Sequence, residues 1–138
     1  KQLKRLGLAA KLLGGDGLQN INFLQLAGAD AEGVVASSPG LPLDAMPGGA
    51  EFKQKFEAKY GKIQVYAPYA YDAVRVLVAA MKRADSAEPD KVLAELPKTD
   101  HAGVTGPLRF DEKGDTAGGA VTLYQVKDGA WVVLETVK

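Results

Sequence analysis

Gly14-Gly15-Asp16-Gly17 puts a carboxylate among glycines directly after a short apolar run, Ala9–Leu13. If that run is a strand, the turn sits at its carboxyl end, the edge where open α/β sheets bind ligands. Glycines let a ligand approach the backbone closely. The carboxylate points at whatever ligand arrives. The same residues also read as a plain strand-to-helix turn with Asp16 in a local hydrogen bond, and the residues alone leave both readings open. A second group is Tyr66-Ala67-Pro68-Tyr69-Ala70-Tyr71-Asp72. Tyrosine has an apolar face and a polar tip, suited to lining a cleft. Tyr66, placed before a helix begins, is the candidate for function; Tyr71 is expected to cap the core.

Other chemistry is thin. Asp111-Glu112-Lys113-Gly114-Asp115 is acidic but lacks the alternating oxygens and distant glutamate of a calcium loop, so it reads as a solvated turn. His101 is the single histidine and has no serine or cysteine partner in a recognisable motif. With no cysteine there is no thiol nucleophile, disulfide or thiolate metal site. No glycine-rich phosphate loop with Lys-Ser/Thr occurs. The expectation is no catalytic residue, no metal and no cofactor.

The elements that must position these residues follow from periodicity. Lys1–Leu6 reads as the end of a helix stopped by Gly7; no capping residue precedes it, so its beginning is expected to lie outside this chain. Ala9–Leu13 and Gly33–Ser37 are apolar on successive residues, the pattern of strands in a parallel sheet covered on both faces. Asn20–Ala27 is expected as a short helix between them. Pro39–Gly49 carries three prolines and three glycines and reads as a long loop. Glu51–Tyr60 is an amphipathic helix with Phe52, Phe56 and Tyr60 four apart. Ala70–Ala84 is the strongest helix, with Ala70, Val74, Leu77, Val78 and Met81 as its apolar stripe. Pro89–Leu96 is a short helix and Thr99–Pro107 a loop. Val121–Val126 and Ala130–Val137, joined by Asp128-Gly129, predict a type I′ hairpin, with Trp131 as a packing residue.

At 138 residues the chain has the length of one ordinary domain. Its composition, 46% hydrophobic and 25% charged, excludes a disordered tail or a fibre. Seventeen basic residues balance seventeen acidic ones, so no nucleic-acid partner is expected. No apolar run approaches the ~18 residues that span a bilayer, and Lys1–Ala10 lacks the pattern of a signal peptide.

Taken in order, several segments carry a resemblance: Gly14–Gly17, Gly28-Ala29-Asp30-Ala31-Glu32-Gly33-Val34-Val35, Phe52 to Gly61, Tyr66 to Val74, Gly106-Pro107-Leu108-Arg109-Phe110-Asp111-Glu112-Lys113-Gly114-Asp115 and the closing hairpin. The chain resembles the periplasmic leucine/isoleucine/valine-binding proteins, the substrate-binding subunits of branched-chain amino-acid ABC importers. The resemblance implies an α/β fold: the C-terminal part of a two-lobe type I periplasmic-binding-protein fold, a parallel sheet flanked by helices with a terminal β-hairpin. It places residues 1–38 and 106–138 in the C-terminal lobe and 50–105 in the other, with hinge crossings at 39–49 and 106–115. It puts the acidic residue that holds the ligand's α-amino group at Asp16, where relatives often have glutamate, and a cleft-lining tyrosine at Tyr66. The residues that hold the α-carboxylate lie upstream of Lys1, so the chain is expected to be a fragment.

The implied partners are an amino-acid ligand, a membrane permease and the missing N-terminal portion, and the implied location is the periplasm. Self-association through apolar surface left uncovered is also expected. Two alternatives stay open. One is a ligand-sensing domain of the same fold. The other is a nucleotide-using α/β enzyme, since lipid and NAD kinases read Gly-Gly-Asp-Gly-Thr; here Leu18 stands where they have the hydroxyl.

Overall fold

A computed structural model describes all 138 residues, and the chain divides into two units. The first comprises Lys1–Pro42 and Ala120–Lys138, the second Leu43–Gly119. In the first, a short helix α1 (Gln2–Arg5) precedes strand β1 (Leu13–Gly14), a 3-10 turn (Asp16–Leu18), helix α2 (Ile21–Ala27) and strand β2 (Val35–Pro39).

The second unit holds helices α3 (Gly49–Tyr60), α4 (Ala67–Ala84) and α5 (Pro89–Glu95) and the short strands β3 (His101–Ala102) and β4 (Pro107–Leu108). Strands β5 (Val121–Lys127) and β6 (Ala130–Val137) then complete the first unit.

The first unit is built on a four-stranded sheet in the order β1-β2-β5-β6. Its strands are not all parallel. β1 runs parallel to β2, with Leu13 opposite Val35, while β2–β5 and β5–β6 are antiparallel. The closing hairpin joins the same sheet beside β2, so only one strand pair keeps the parallel arrangement expected from the apolar runs. β1 is also shorter than Ala9–Leu13. The amide of Val35 reaches back to the Leu12 carbonyl at 3.0 Å, but the amide of Gly33, two residues earlier, donates to Val126 at 2.9 Å instead. Residues before Leu12 therefore find no ladder partner on β2.

The core of this unit is Ala31, Val34 and Val126, with Phe23, Leu24, Ala27 and Trp131 packed against it. Trp131 is a packing residue, its ring centroid 5.8 Å from that of Phe23. The Asp128-Gly129 turn has positive φ at both residues, +52° and +73°, as a type I′ turn demands. Thr122 is fully buried, and its hydroxyl donates to the Gly40 carbonyl at 2.7 Å.

The second unit corrects the reading of α4. Val74, Leu77, Val78 and Met81, expected as the buried stripe, are exposed, Val74 by 59%. The buried positions are Pro68, Asp72, Val76 and Ala80, on the other side of the helix, and α4 packs against α5. The rotation of the helix is set by Asp72, 2% exposed, whose carboxylate accepts from the amides of Val104 and Thr105 and the hydroxyl of Thr105 at 2.9, 2.8 and 2.7 Å. A buried carboxylate needs such donors, and a count of apolar positions does not register it. Tyr71 does not cap a core either. It is exposed, with its ring 5.3 Å from Phe52. The four-apart aromatics of α3 stack as a ladder, Phe52–Phe56 at 5.6 Å and Phe56–Tyr60 at 5.1 Å, with Tyr60 exposed.

Residues 106–119 group with residues 43–105, and the first unit resumes at Ala120. The cause is local pairing: β4 pairs with β3, and Arg109 forks onto the Asp100 carboxylate at 3.0 and 3.2 Å.

The orientation of α4 has a measurable consequence. Val76→Ala should destabilise the chain by about 1–3 kcal/mol through lost burial and an unfilled space. Val78→Lys, on the exposed seam, should stay within about 0.5 kcal/mol of wild type. Urea denaturation followed by circular dichroism measures both. The reverse order would restore the stripe expected from the sequence.

Candidate functional site

Asp16 stands just past the carboxyl end of β1, the strand that runs parallel to β2. Gly14 ends the strand, and a Cβ there would overlap the Leu18 side chain. Gly15 is extended, with φ −81° and ψ −176°. The chain then tightens into a 3-10 turn in which the Leu18 amide donates to Gly15 and the Gln19 amide to Asp16, at 3.0 and 2.9 Å. Asp16 is half-buried, and its Oδ1 accepts from the Gly17 amide at 3.1 Å. Asp16 thus combines a local hydrogen bond with a position just past a strand end.

The turn is tied to α2. Asn20 caps that helix, its Oδ1 accepting from the Phe23 amide at 2.9 Å. Its Nδ2 donates to the Gly17 carbonyl at 2.6 Å, and its own carbonyl accepts from the Trp131 indole at 3.4 Å. The sequence reading began a helix at Asn20 without assigning it a role. The signal was present, since asparagine directly before an apolar helical run is a capping pattern. On β5, burial pushes the Tyr124 phenol above its ordinary range, and a side-chain hydrogen bond from Gln19 works against that shift.

Tyr66 belongs to the second unit. It is the N-cap residue of α4, 51% exposed, and its carbonyl accepts from the Ala70 amide at 2.9 Å. Pro68 occupies the first turn, where a missing N–H costs nothing. Asp16 and Tyr66 therefore lie in different units.

Each unit carries a surface depression lined by other residues. One, of about 410 Å³, is in the first unit between the Leu8–Leu12 run and Phe23; the other, of about 270 Å³, is in the second beside Phe52, Tyr71 and His101. Neither is lined by Asp16 or Tyr66. Of the other candidates, Asp111 turns its carboxylate onto its own loop, accepting from the amides of Lys113 and Asp115 at 2.9 Å each. His101 is half-buried on β3. Arg109 beside Asp100 holds that carboxyl below the usual range, a surface ion pair.

Residues 1–130 match the periplasmic binding protein family. The chain is 32% identical over 126 residues to the leucine-, isoleucine-, valine-, threonine-, and alanine-binding protein of Pseudomonas aeruginosa, covering 91% of this chain and 34% of that protein. It is 31% identical over 131 residues to Leu/Ile/Val-binding protein homolog 1 of Brucella suis, covering 94% and 35%. Among solved structures, it superposes on the leucine binding protein LivK of Thermotoga maritima with a TM-score of 0.84, at 28% identity, over 99% of this chain and 39% of that one. For LivJ of Streptococcus pneumoniae in complex with isoleucine the TM-score is 0.80 at 26% identity, over the same shares. The chain thus spans about a third of the length of the curated relatives it matches.

The Tyr124 environment gives a pH signature for the framework under Asp16. A phenol whose folded pKa is raised above its unfolded value contributes stability that is complete below the unfolded value, near 10. That contribution is lost as pH rises through the folded one. Absorbance at 295 nm should show one tyrosine ionising late, coincident with alkaline unfolding. Tyr124→Phe should remove that late component, and its persistence in the variant would contradict the assignment.

Proposed function

This chain belongs to the periplasmic binding protein family, and from that premise we propose that it is the carboxy-terminal part of an extracytoplasmic receptor. The receptor captures leucine, isoleucine, valine or a related amino acid in the periplasm and delivers it to the membrane permease of an ABC importer. The single observation that carries the reading is the half-buried carboxylate of Asp16, held by a glycine turn at the end of a parallel strand. That is the edge where α/β sheets receive ligands, and a carboxylate there suits the ammonium, the cationic group that α-amino acids share. The names of the relatives agree in ligand class.

In this reading the two units belong to two lobes, with the hinge crossings at 39–49 and 106–115. Tyr66 supplies an aromatic face to the ligand from the second lobe. The outward apolar seam of α4 is covered by the rest of the receptor. The chain binds and does not transform its ligand.

Magnitudes decide what these residues do alone. A hydrogen bond to a charged group contributes about 1.5–3 kcal/mol, and a cation over an aromatic ring about 0.5–2 kcal/mol. Association costs on the order of 4–15 kcal/mol in lost freedom. Asp16 and Tyr66 by themselves therefore hold leucine no better than millimolar.

Isothermal titration tests this in two steps. The 138-residue chain should give no leucine heat below the millimolar range. The receptor-length protein should bind leucine, isoleucine or valine at micromolar concentration or tighter, and Asp16→Asn should weaken it at least about tenfold. A micromolar heat from the isolated monomer would contradict the sharing of the site between lobes. A receptor-length protein that ignores all three amino acids would overturn the reading.

A further inference from the structure

We propose that Asn20 is a positioning residue for the Asp16 carboxylate, acting through Gly17; the inference rests on the reading of Asp16 given above. Gly17 is the weak link in the turn. Nothing lies within 4 Å of a Cβ built on it, so packing does not fix it, and glycine has the widest backbone freedom of any residue. Two hydrogen bonds do fix it. Its amide donates to Asp16 Oδ1 at 3.1 Å, and its carbonyl accepts from Asn20 Nδ2 at 2.6 Å. The second bond orients the residue whose amide holds the carboxylate.

Asparagine does this while capping α2. Its Oδ1 must face a donor, the Phe23 amide, and its Nδ2 must face an acceptor, the Gly17 carbonyl, so the two ends of the amide are assigned by their partners. Aspartate would cap the helix equally well, but an ionised aspartate has no donor. The backbone of Asn20 is engaged too, its amide with Leu18 at 2.8 Å and its carbonyl with Trp131 at 3.4 Å. The clamp therefore rests on α2 and on the hairpin, and the turn is held from a framework.

The test separates the cap from the clamp. Asn20→Asp keeps the acceptor for Phe23 and loses the donor to Gly17. In the 138-residue chain, amide exchange at Gly17 should quicken about tenfold while exchange at Phe23 stays unchanged. Gly17→Ala added to Asn20→Asp should restore part of the order, because alanine suits a 3-10 turn and narrows the unfolded ensemble. In the receptor-length protein, Asn20→Asp should weaken leucine binding several-fold, and should have no further effect once Asp16 is Asn.

Unchanged Gly17 exchange in Asn20→Asp overturns the positioning role, whatever happens to binding. An undiminished Asn20→Asp effect in the Asp16→Asn background overturns it as well. Should Asn20→Asp fail to fold, the wild-type side-chain NH2 signals of Asn20 decide: one slowly exchanging proton supports the clamp, and two fast ones overturn it. If Asp16→Asn leaves leucine affinity intact, the reading of Asp16 fails while the exchange result still stands on its own.

Discussion

The antiparallel pairing of β2 with β5 is the constraint on which the arrangement of the chain depends. It sets Val35–Pro39 against Val121–Gln125, and the buried Thr122 hydroxyl closes on Gly40 across 82 residues of sequence. A ladder between such distant segments forces everything between Pro42 and Ala120 to leave and return beside the same strand. The second unit is therefore an insertion into the first, bounded by two crossings. The pairing also gives β2 its second neighbour and seats Val126 in the core with Val34. From that core comes the platform under the Asp16 turn, through Phe23, Trp131 and Asn20.

Local chemistry was legible in the sequence wherever it was self-sufficient. Asp128-Gly129 predicts a type I′ turn because few residue pairs accept positive φ at both positions, and both φ values are positive. The bounds of α3 and α5 followed within about two residues from Gly61, Pro89 and the aromatic spacing. The places where the reading failed are those decided by a distant partner. Ala9–Leu13 looks like a strand, yet only Leu13–Gly14 pairs, because Gly33 turns its amide to the hairpin. The α4 stripe looked buried because apolar residues outnumber polar ones there, yet Asp72 and its three donors from residues 104–105 decide which side faces inward.

The candidate site was legible to the same degree. Glycines around Asp16 announced a tight turn at a strand end, and that is its geometry. The support for the turn was not announced, because it combines a capping bond, a bond back to Gly17 and an indole contact from a residue over a hundred positions away.

The most direct measurement of the central claim compares leucine with 4-methylpentanoate, its analogue without the amino group, on the receptor-length protein and on Asp16→Ala. If the Asp16 carboxylate holds the ammonium, wild type should prefer leucine by about tenfold or more, and Asp16→Ala should lose most of that preference. An equal preference in both proteins would contradict the claim and assign the ammonium to another residue.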